Sequence, residues 1–600
     1  MKNLMKVPYN GQSVPMRNFF TILIMLFLHN HLFAQFTEYN TGEYEDVWND
    51  VAVDSQGYIY VVGTYTNETI IDGNILNNGI APGLNKTQLM VTKYDPNGSI
   101  QWITYGAAPC PDKGWSTGMR IAIGEESGKV FIAGEHAGMK IETGSGTYVI
   151  DDIPDSLGVG CQGDDNIRKP YIISLAMSNG DFQNFTNDLR GVVTSMAVAT
   201  DGVFANHLYT SLYNEVDKIA FIYRVAPTTL LPAGGNHLIQ TISTGIEHII
   251  TDIKYKKGKI YCIGTTVGSV QFGALTLSIS LPPTGTTAWA AIVNNPSGSI
   301  SVLAMNHAGV GGKVTGDQIY LDGQGNIIVA GRYSDALIYP FNSPQAYTSL
   351  SSSVLKNAYI MKLNQNTLIA NDAIQTIETT TSQYNVNSVS LTGSDNKVFV
   401  SLTYTGKFLF FTPSGSMMNL TSPVNINNSS KIAITSYTIL PSLNNIWRNS
   451  TYGINTSDLG YEKANAVFED QVYSAGNLKE RMYFDHLPTL NSPISSSSPS
   501  KKAMLIRNDD SYSGAFKSYA GKDDKLNDIE QSIYPNPNDG SFYISGISKN
   551  DKIEVFDLLG KTISFTLSFS GDKAFIEIDK PTGVVIVKIN DVGQRVMMNE

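Results

Sequence analysis

Residues 50–63 read DVAVDSQGYIYVVG. Apolar and polar residues alternate up to Val53, the Asp54-Ser55-Gln56-Gly57 turn interrupts them, and alternation resumes through Tyr58 to Gly63. This is the pattern of a hairpin with one buried face. The same pattern returns as MRIAIGEESGKVFIAG ending at Gly134, DIKYKKGKIYCIG ending at Gly264 and QIYLDGQGNIIVAG ending at Gly331. Weaker copies are MAVATDGVFANHLYTS ending at Ser211, SVSLTGSDNKVFVS ending at Ser401 and ANAVFEDQVYSAG ending at Gly476. The chain therefore holds seven units of about 69 residues, longer than the ~40 to 50 of compact repeats, so each unit carries an additional loop.

A second hairpin follows the first in every unit. It begins with QLMVTKYDPNGSIQW at Gln88, PYIISLAMSNGDF at Pro170, IAFIYRVAP at Ile219 and AWAAIVNNPSGSISVL at Ala288. It continues with NAYIMKLNQNTLI at Asn357, KIAITSYTIL at Lys431 and KAMLIRNDDSYSGAF at Lys502. Two hairpins make a four-stranded blade, and seven blades close into a ring without a long open edge. The fold expected is all-β: a seven-bladed β-propeller over residues 35–521. Its strands are lettered A to D outward from the axis. Either Gln35–Asn40 or Gly514–Tyr519 supplies the outermost strand of the last blade.

Composition agrees with this class. Charged residues are 16% of the chain, while Gly reaches 53 and Tyr 31. With 42 basic against 53 acidic residues and a net charge of -11, the chain has no basic face for nucleic acid. At the N-terminus, Lys2, Lys6 and Arg17 precede the apolar run Phe19–Leu28 and the small residue Ala34. That order reads as a secretory signal peptide over residues 1–34. The run is too short to span a bilayer, so no transmembrane segment is expected once the signal is removed.

The repeat D-x-x-G-x-I-Y-V-x-G, followed by an apolar strand and D-x-x-G-x-x-x-W, resembles the bacterial seven-bladed propeller repeat of the SBBP type, common in exported proteins of the Bacteroidota. The resemblance covers roughly residues 40 to 521. Beyond a polar linker at 522–531, residues 532–600 show short alternating strands of a small, immunoglobulin-like β-sandwich. There Tyr534, Pro535, Asn536, Pro537 and Gly540 precede a strand ending in Asp557 and Gly560, and a closing strand follows Gly583. These residues resemble the type A C-terminal sorting domain of the type IX secretion system. The resemblance implies export across the outer membrane, with the secretion machinery as partner of this domain. The position two residues after Gly583, commonly Tyr in that family, is Val585.

No zinc-protease helix, nucleophile elbow, phosphate loop or dinucleotide fingerprint is present. His136, His207, His237, His248, His307 and His486 lack metal-ligand spacing. Asp151, Asp152, Asp155, Asp164 and Asp165 share one loop but not the order of a Ca²⁺ loop, and read as a solvated acidic segment. Asp95, Gly98 and Trp102 differ in spacing from the Asp box of sialidase propellers, so Trp102 is expected to pack between blades. No catalytic residue, metal or cofactor is assigned. Three cysteines allow at most one disulfide, and topology brings Cys110 and Cys161 to one side of the ring as its candidate pair. Cys262 lies within a strand and is expected as a buried free thiol.

If strand A runs from an upper to a lower face, the A–B and C–D turns lie below. The B–C loops, long in six blades, then all lie above, as candidate binding loops. Some of them, such as SVQFGALTLSI and KFLFFTPSGSMMNL, are apolar enough to fold back as extra strands instead. The expectation is a protein secreted or attached to the outer cell surface, a non-enzymatic binding, adhesion or scaffold propeller whose ligand is a glycan or protein. A polysaccharide hydrolase or lyase is the alternative, marked by carboxylates with Tyr or His converging at one end of the channel.

Overall fold

The computed structural model describes residues 37–39, 46–71, 74–77, 86–109, 114–150, 168–231, 239–243, 248–267, 270–272, 275–277, 285–294, 297, 299–308, 312–334, 337–338, 357–378, 385–394, 396–405, 408–411, 417–420, 431–439, 443–452, 459–468, 471–479, 481–484, 494–495, 502–509, 532–534, 541–545, 552–557, 562–570, 573–578, 584–589 and 592–597. The chain divides into two compact units, 1–513 and 514–600. Apart from one 3₁₀ turn at Glu125–Ser127, the described elements are strands.

The first unit is a seven-bladed propeller. Its A strands are Val47–Val53, Ser116–Gly124, Val192–Val198, His248–Lys256, Gln318–Leu321, Asn385–Ser394 and Leu459–Phe468. Each pairs antiparallel with the B strand of its hairpin, and the C strand pairs with B. Apolar side chains on both faces of the middle strands meet those of the next blade. The seven junctions accordingly hold seven separate apolar clusters. Trp48, in the cluster between blades seven and one, and Trp289, between blades three and four, are fully buried. Side chains of this size contribute roughly 1.5–3 kcal/mol each through burial.

Two recurrent residues of the repeat have specific physical roles. In the A–B turn of blade one the Asp54 carboxylate accepts from the backbone N–H of Gln56 and Tyr58, at 3.0 and 2.9 Å. Asp322 does the same in blade five, accepting from Gln324 and Asn326. Gly57 completes the first turn with φ of 84°, a conformation that costs a side-chain-bearing residue strain. The closing glycine answers a different need. A Cβ on Gly134 would lie 1.7 Å from the Thr117 carbonyl oxygen, and on Gly331 1.9 Å from that of Thr315. A tyrosine of the C strand crosses that gap and donates to the same carbonyl: Tyr171 to Thr117 and Tyr359 to Thr315, both at 2.8 Å.

Five of the six long B–C connections fold back onto the preceding blade, while in blade one Glu68–Ile71 and Asn74–Asn77 pair with each other as a separate two-stranded sheet. Met139–Thr143, from blade two, pairs with the D strand Ile100–Ala107 of blade one. Val270–Phe272 of blade four pairs with the D strand of blade three, and Leu337–Ile338 of blade five with that of blade four. Phe408–Phe411 of blade six joins blade five, and Arg481–Phe484 of blade seven joins blade six. Within the Ser-rich stretch SPISSSSPS, which starts at Ser492, Ile494–Ser495 pairs with Arg481 and Met482 and so extends the last of these. In these described segments the fold-back alternative prevails over free binding loops, because an apolar hairpin buries more against an open sheet edge than in water. Blade three has only the short turn 215–218 at this point, and blade two has four strands.

Ring closure uses the N-terminal segment. Thr37–Tyr39 pairs with Met504–Ile506 of the C strand Lys502–Asp509, as the outermost strand of blade seven. The alternative segment Gly514–Tyr519 lies outside the described residues. Arg507 adds a bond across the seam, donating to the Pro96 carbonyl of blade one at 3.0 Å. Equivalent cations bridge other junctions. Lys93 donates to Met177 O at 2.9 Å and Lys362 to Ile439 O at 2.8 Å.

The second unit has two sheets. One contains Ser532–Tyr534, Ser541–Ser545, Lys573–Ile578 and Phe565–Ser570; the other contains Ile553–Asp557, Val584–Ile589 and Val592–Met597. Ile544, Val555, Ala574, Ile576, Ile578 and Val587 form its core. This is the expected immunoglobulin-like sandwich. No described helix is long and apolar enough to cross a membrane.

Candidate functional site: the central channel

The A strands share a feature. Each holds a polar residue followed by an apolar one: Asp50-Val51, Arg120-Ile121, Ser195-Met196, Asp252-Ile253, Gln318-Ile319, Ser390-Leu391 and Asn465-Ala466. Six of the A strands carry a bulge near this position, at Asn49, Met119, Thr194, Thr251, Asn387 and Lys463. A bulge re-aims side chains and increases local twist. Here all of these polar residues but Ser390 line a channel cavity of about 470 Å³ to which all seven blades contribute.

Their partners are mostly in adjacent blades. The Asp50 carboxylate accepts from Ile121 N at 3.0 Å, Asp252 from Ile319 N at 3.1 Å, and the Gln318 amide oxygen from Leu391 N at 2.6 Å. Ser195 accepts from Ile253 N at 3.2 Å and donates to Asp252 at 2.7 Å. The Arg120 guanidinium instead donates to Thr194 O at 2.6 Å, and Ser390 donates to Asn465 at 2.9 Å. Six junctions are thus bridged near the axis. Burial pushes the Asp50 carboxyl above the usual carboxylate range, against the pull of the Arg120 guanidinium and two backbone N–H groups.

Two further charged groups of the channel lining are paired. Asp317 holds Arg332 at 2.7 Å, and Lys254 reaches Asp252 at 3.2 Å. Carboxylates therefore do gather in the channel, but each named here is bonded to the frame. Two carboxylates able to act on one bond need one protonated and one free group facing the same space. This belt is not announced by the sequence pattern, although its signal, a polar-apolar pair within each A strand, is present in all seven units.

A second cavity of about 400 Å³ lies between the lower turns of blades one and two, lined by Asp54, Tyr60, Lys93, Glu125 and Met177 among others. Its Lys93 ammonium sits 4.1 Å from the Tyr58 ring centroid, and burial lowers its pKa. Lys93 is the same inter-blade cation described above, so this cavity is the outer end of a junction.

The described histidines do not converge. His136 packs edge-on to Tyr171 and Phe185, His207 to Phe204, and His248 stacks on Trp289 at 5.5 Å. Burial pushes the His248 pKa down to about 4. His307 belongs to a D strand. Among the described residues no group of His, Cys, Asp or Glu has the arrangement of a metal site. Trp102 packs against the C–D turn of blade two and donates to Met177 O at 3.1 Å. Cys262 is a buried free thiol whose pKa burial pushes up to about 12. Cys110, Cys161, His237, His486 and the acidic loop Asp151–Asp165 lie outside the described residues.

Of the sorting-motif residues, Tyr534 pairs with Tyr543, and Asp557 lies opposite Val585. Pro535, Asn536, Pro537, Gly540, Gly560 and Gly583 lie outside the described residues.

Residues 532–598 match the family model of the secretion system C-terminal sorting domain. The chain thus carries the C-terminal sorting domain of type IX secretion, which marks proteins secreted or attached to the outer cell surface. No curated protein matches the chain. Among solved structures, the Dos1 propeller is similar at a TM-score of 0.38 and 10% identity, over 79% of this chain and 94% of that one. The C-terminal WD40 domain of Sif2 is similar at 0.34 and 8%, over 78% and 97%. Likeness at this level carries no argument about activity.

Proposed function

We propose that the protein is a non-enzymatic propeller, delivered to the outside of the cell by its sorting domain, that binds a glycan or protein or serves as a scaffold there. A signal peptide over residues 1–34 starts the route, and the type IX machinery is the partner of the C-terminal domain. The observation that carries the reading is the use of the channel's polar residues. Asp50, Asp252 and Gln318 are bonded to backbone N–H groups of neighbouring blades. They are therefore part of the frame and poorly placed to exchange protons with a substrate.

The test uses the mature full chain. On a glycan array and against outer-membrane fractions of the parent cell, it is expected to bind at least one of the two saturably. Absence of binding to both would count against a binding role. An assay for new reducing ends and unsaturated sugars is run on the same polysaccharides, with the wild type and Asp50→Asn. Turnover by the wild type that disappears in a folded Asp50→Asn chain would replace this reading with the hydrolase or lyase alternative.

A further inference from the structure

Both ends of the ring emerge on one face. The C strand of blade seven runs from Lys502 down to Asp509, which stands opposite Gln471, beside the A–B turn. The closing strand runs back up from Thr37, opposite Ile506, to Tyr39, opposite Met504. Thr37 and Asp509 thus take the place that the C–D turn has in the other blades, and such turns all lie on the lower face. The B–C connections leave from the opposite ends of the strands. Everything C-terminal to the ring, including the sorting domain at 532–598, follows from Asp509. Loss of that domain would remove no strand of the ring, because the closing strand comes from the N-terminal side.

We infer that the propeller is held at the cell surface with its lower, tight-turn face toward the cell, and presents its B–C face to the outside. This rests on the proposed function with the chain attached to the outer cell surface, the second of the two destinations its sorting domain marks, since a tether at Asp509 orients the ring only if that end is retained. A macromolecular ligand from outside then meets the upper mouth of the channel and the fold-back hairpins, while the tight turns face the outer membrane. To turn the ring over, the segment that follows Asp509 would have to extend around its rim, which costs that segment conformational freedom.

Blade three supplies a matched pair of probes. Val203, in its A–B turn on the lower face, is 93% exposed, and Val216, in its B–C turn on the upper face, is 90% exposed. Val203→Cys and Val216→Cys chains are treated with a maleimide carried on streptavidin, and modification at each position is read by peptide mass spectrometry. In purified protein both positions are expected to react alike, and circular dichroism melting at the wild-type temperature shows that both variants are folded. On intact cells position 216 is expected to react fully and position 203 to stay unmodified. Equal reaction on cells, or preference for 203, overturns the orientation while leaving display intact. Recovery of the chain only in the medium overturns the display reading and the orientation with it.

Discussion

Asp50, Ser195, Asp252 and Gln318 occupy equivalent places in their blades, and each accepts a backbone N–H from the blade that follows. A side chain that satisfies a neighbour's main chain fixes the register between two sheets, which apolar packing alone leaves free to slide. The closing glycines act by the opposite means, through absence of an atom. Gly134→Ala is expected to lower stability by about 2 kcal/mol or more, because the Cβ would overlap the Thr117 carbonyl; urea denaturation followed by tryptophan fluorescence measures it. An unchanged midpoint would mean that the A strand gives way freely. His248 governs a pH limb. Its pKa is about 4 in the fold against an ordinary 6.5, so between these values the unfolded chain holds more protons. Its contribution is present above pH 6.5 and is lost toward pH 4, on the order of 3 kcal/mol. Melting curves from pH 7 to 4 are expected to fall less steeply for His248→Phe than for the wild type.

At the scale of the element, the inserted hairpins explain why units of this length still make a regular ring. In blades two, four, five, six and seven the insert adds to the outer edge of the preceding blade and so covers the edge that a propeller leaves most exposed. The segment KFLFFTPSGSMMNL, from Lys407, shows the logic. Phe408–Phe411 pairs with Gln375–Glu378 of blade five, and Met417–Leu420 pairs back onto it. Replacing residues 406–430 by a two-residue Gly-Asn link is expected to leave the four strands of blade six in place but to bare the D strand of blade five. Size-exclusion chromatography with light scattering would then show higher-order species absent from the parent; an unchanged profile would show that this hairpin does not protect the edge.

For the whole molecule, closure by Thr37–Tyr39 separates the stability of the ring from the fate of its tag. A chain ending at Ser513 is expected to melt within roughly 2 °C of the propeller transition of the full chain, whereas removal of residues 35–45 lowers that transition by more than about 5 °C. Calorimetry distinguishes the two. A large loss on truncation at Ser513 would mean that the second unit supports the first.

Blade number, strand pairing within blades and the sorting sandwich were all legible in local sequence. Hairpins announce themselves by alternation and by turns such as Asp54–Gly57, whose hydrogen bonds are made within five residues. The choice between Gln35–Asn40 and Gly514–Tyr519 for the closing strand was not legible, because both read as short strands and only the ring selects one. Nor was the channel belt. The polar residue within each A strand was visible as a letter, but its partner lies about 70 residues away, at Ile121 for Asp50 and Ile319 for Asp252. The sequence by itself determined seven hairpin pairs and an exported chain, because those rest on contacts between near neighbours. Tertiary structure alone decided where the long loops go, which end closes the ring and that the channel carboxylates belong to the frame, since each depends on groups that only closure brings together.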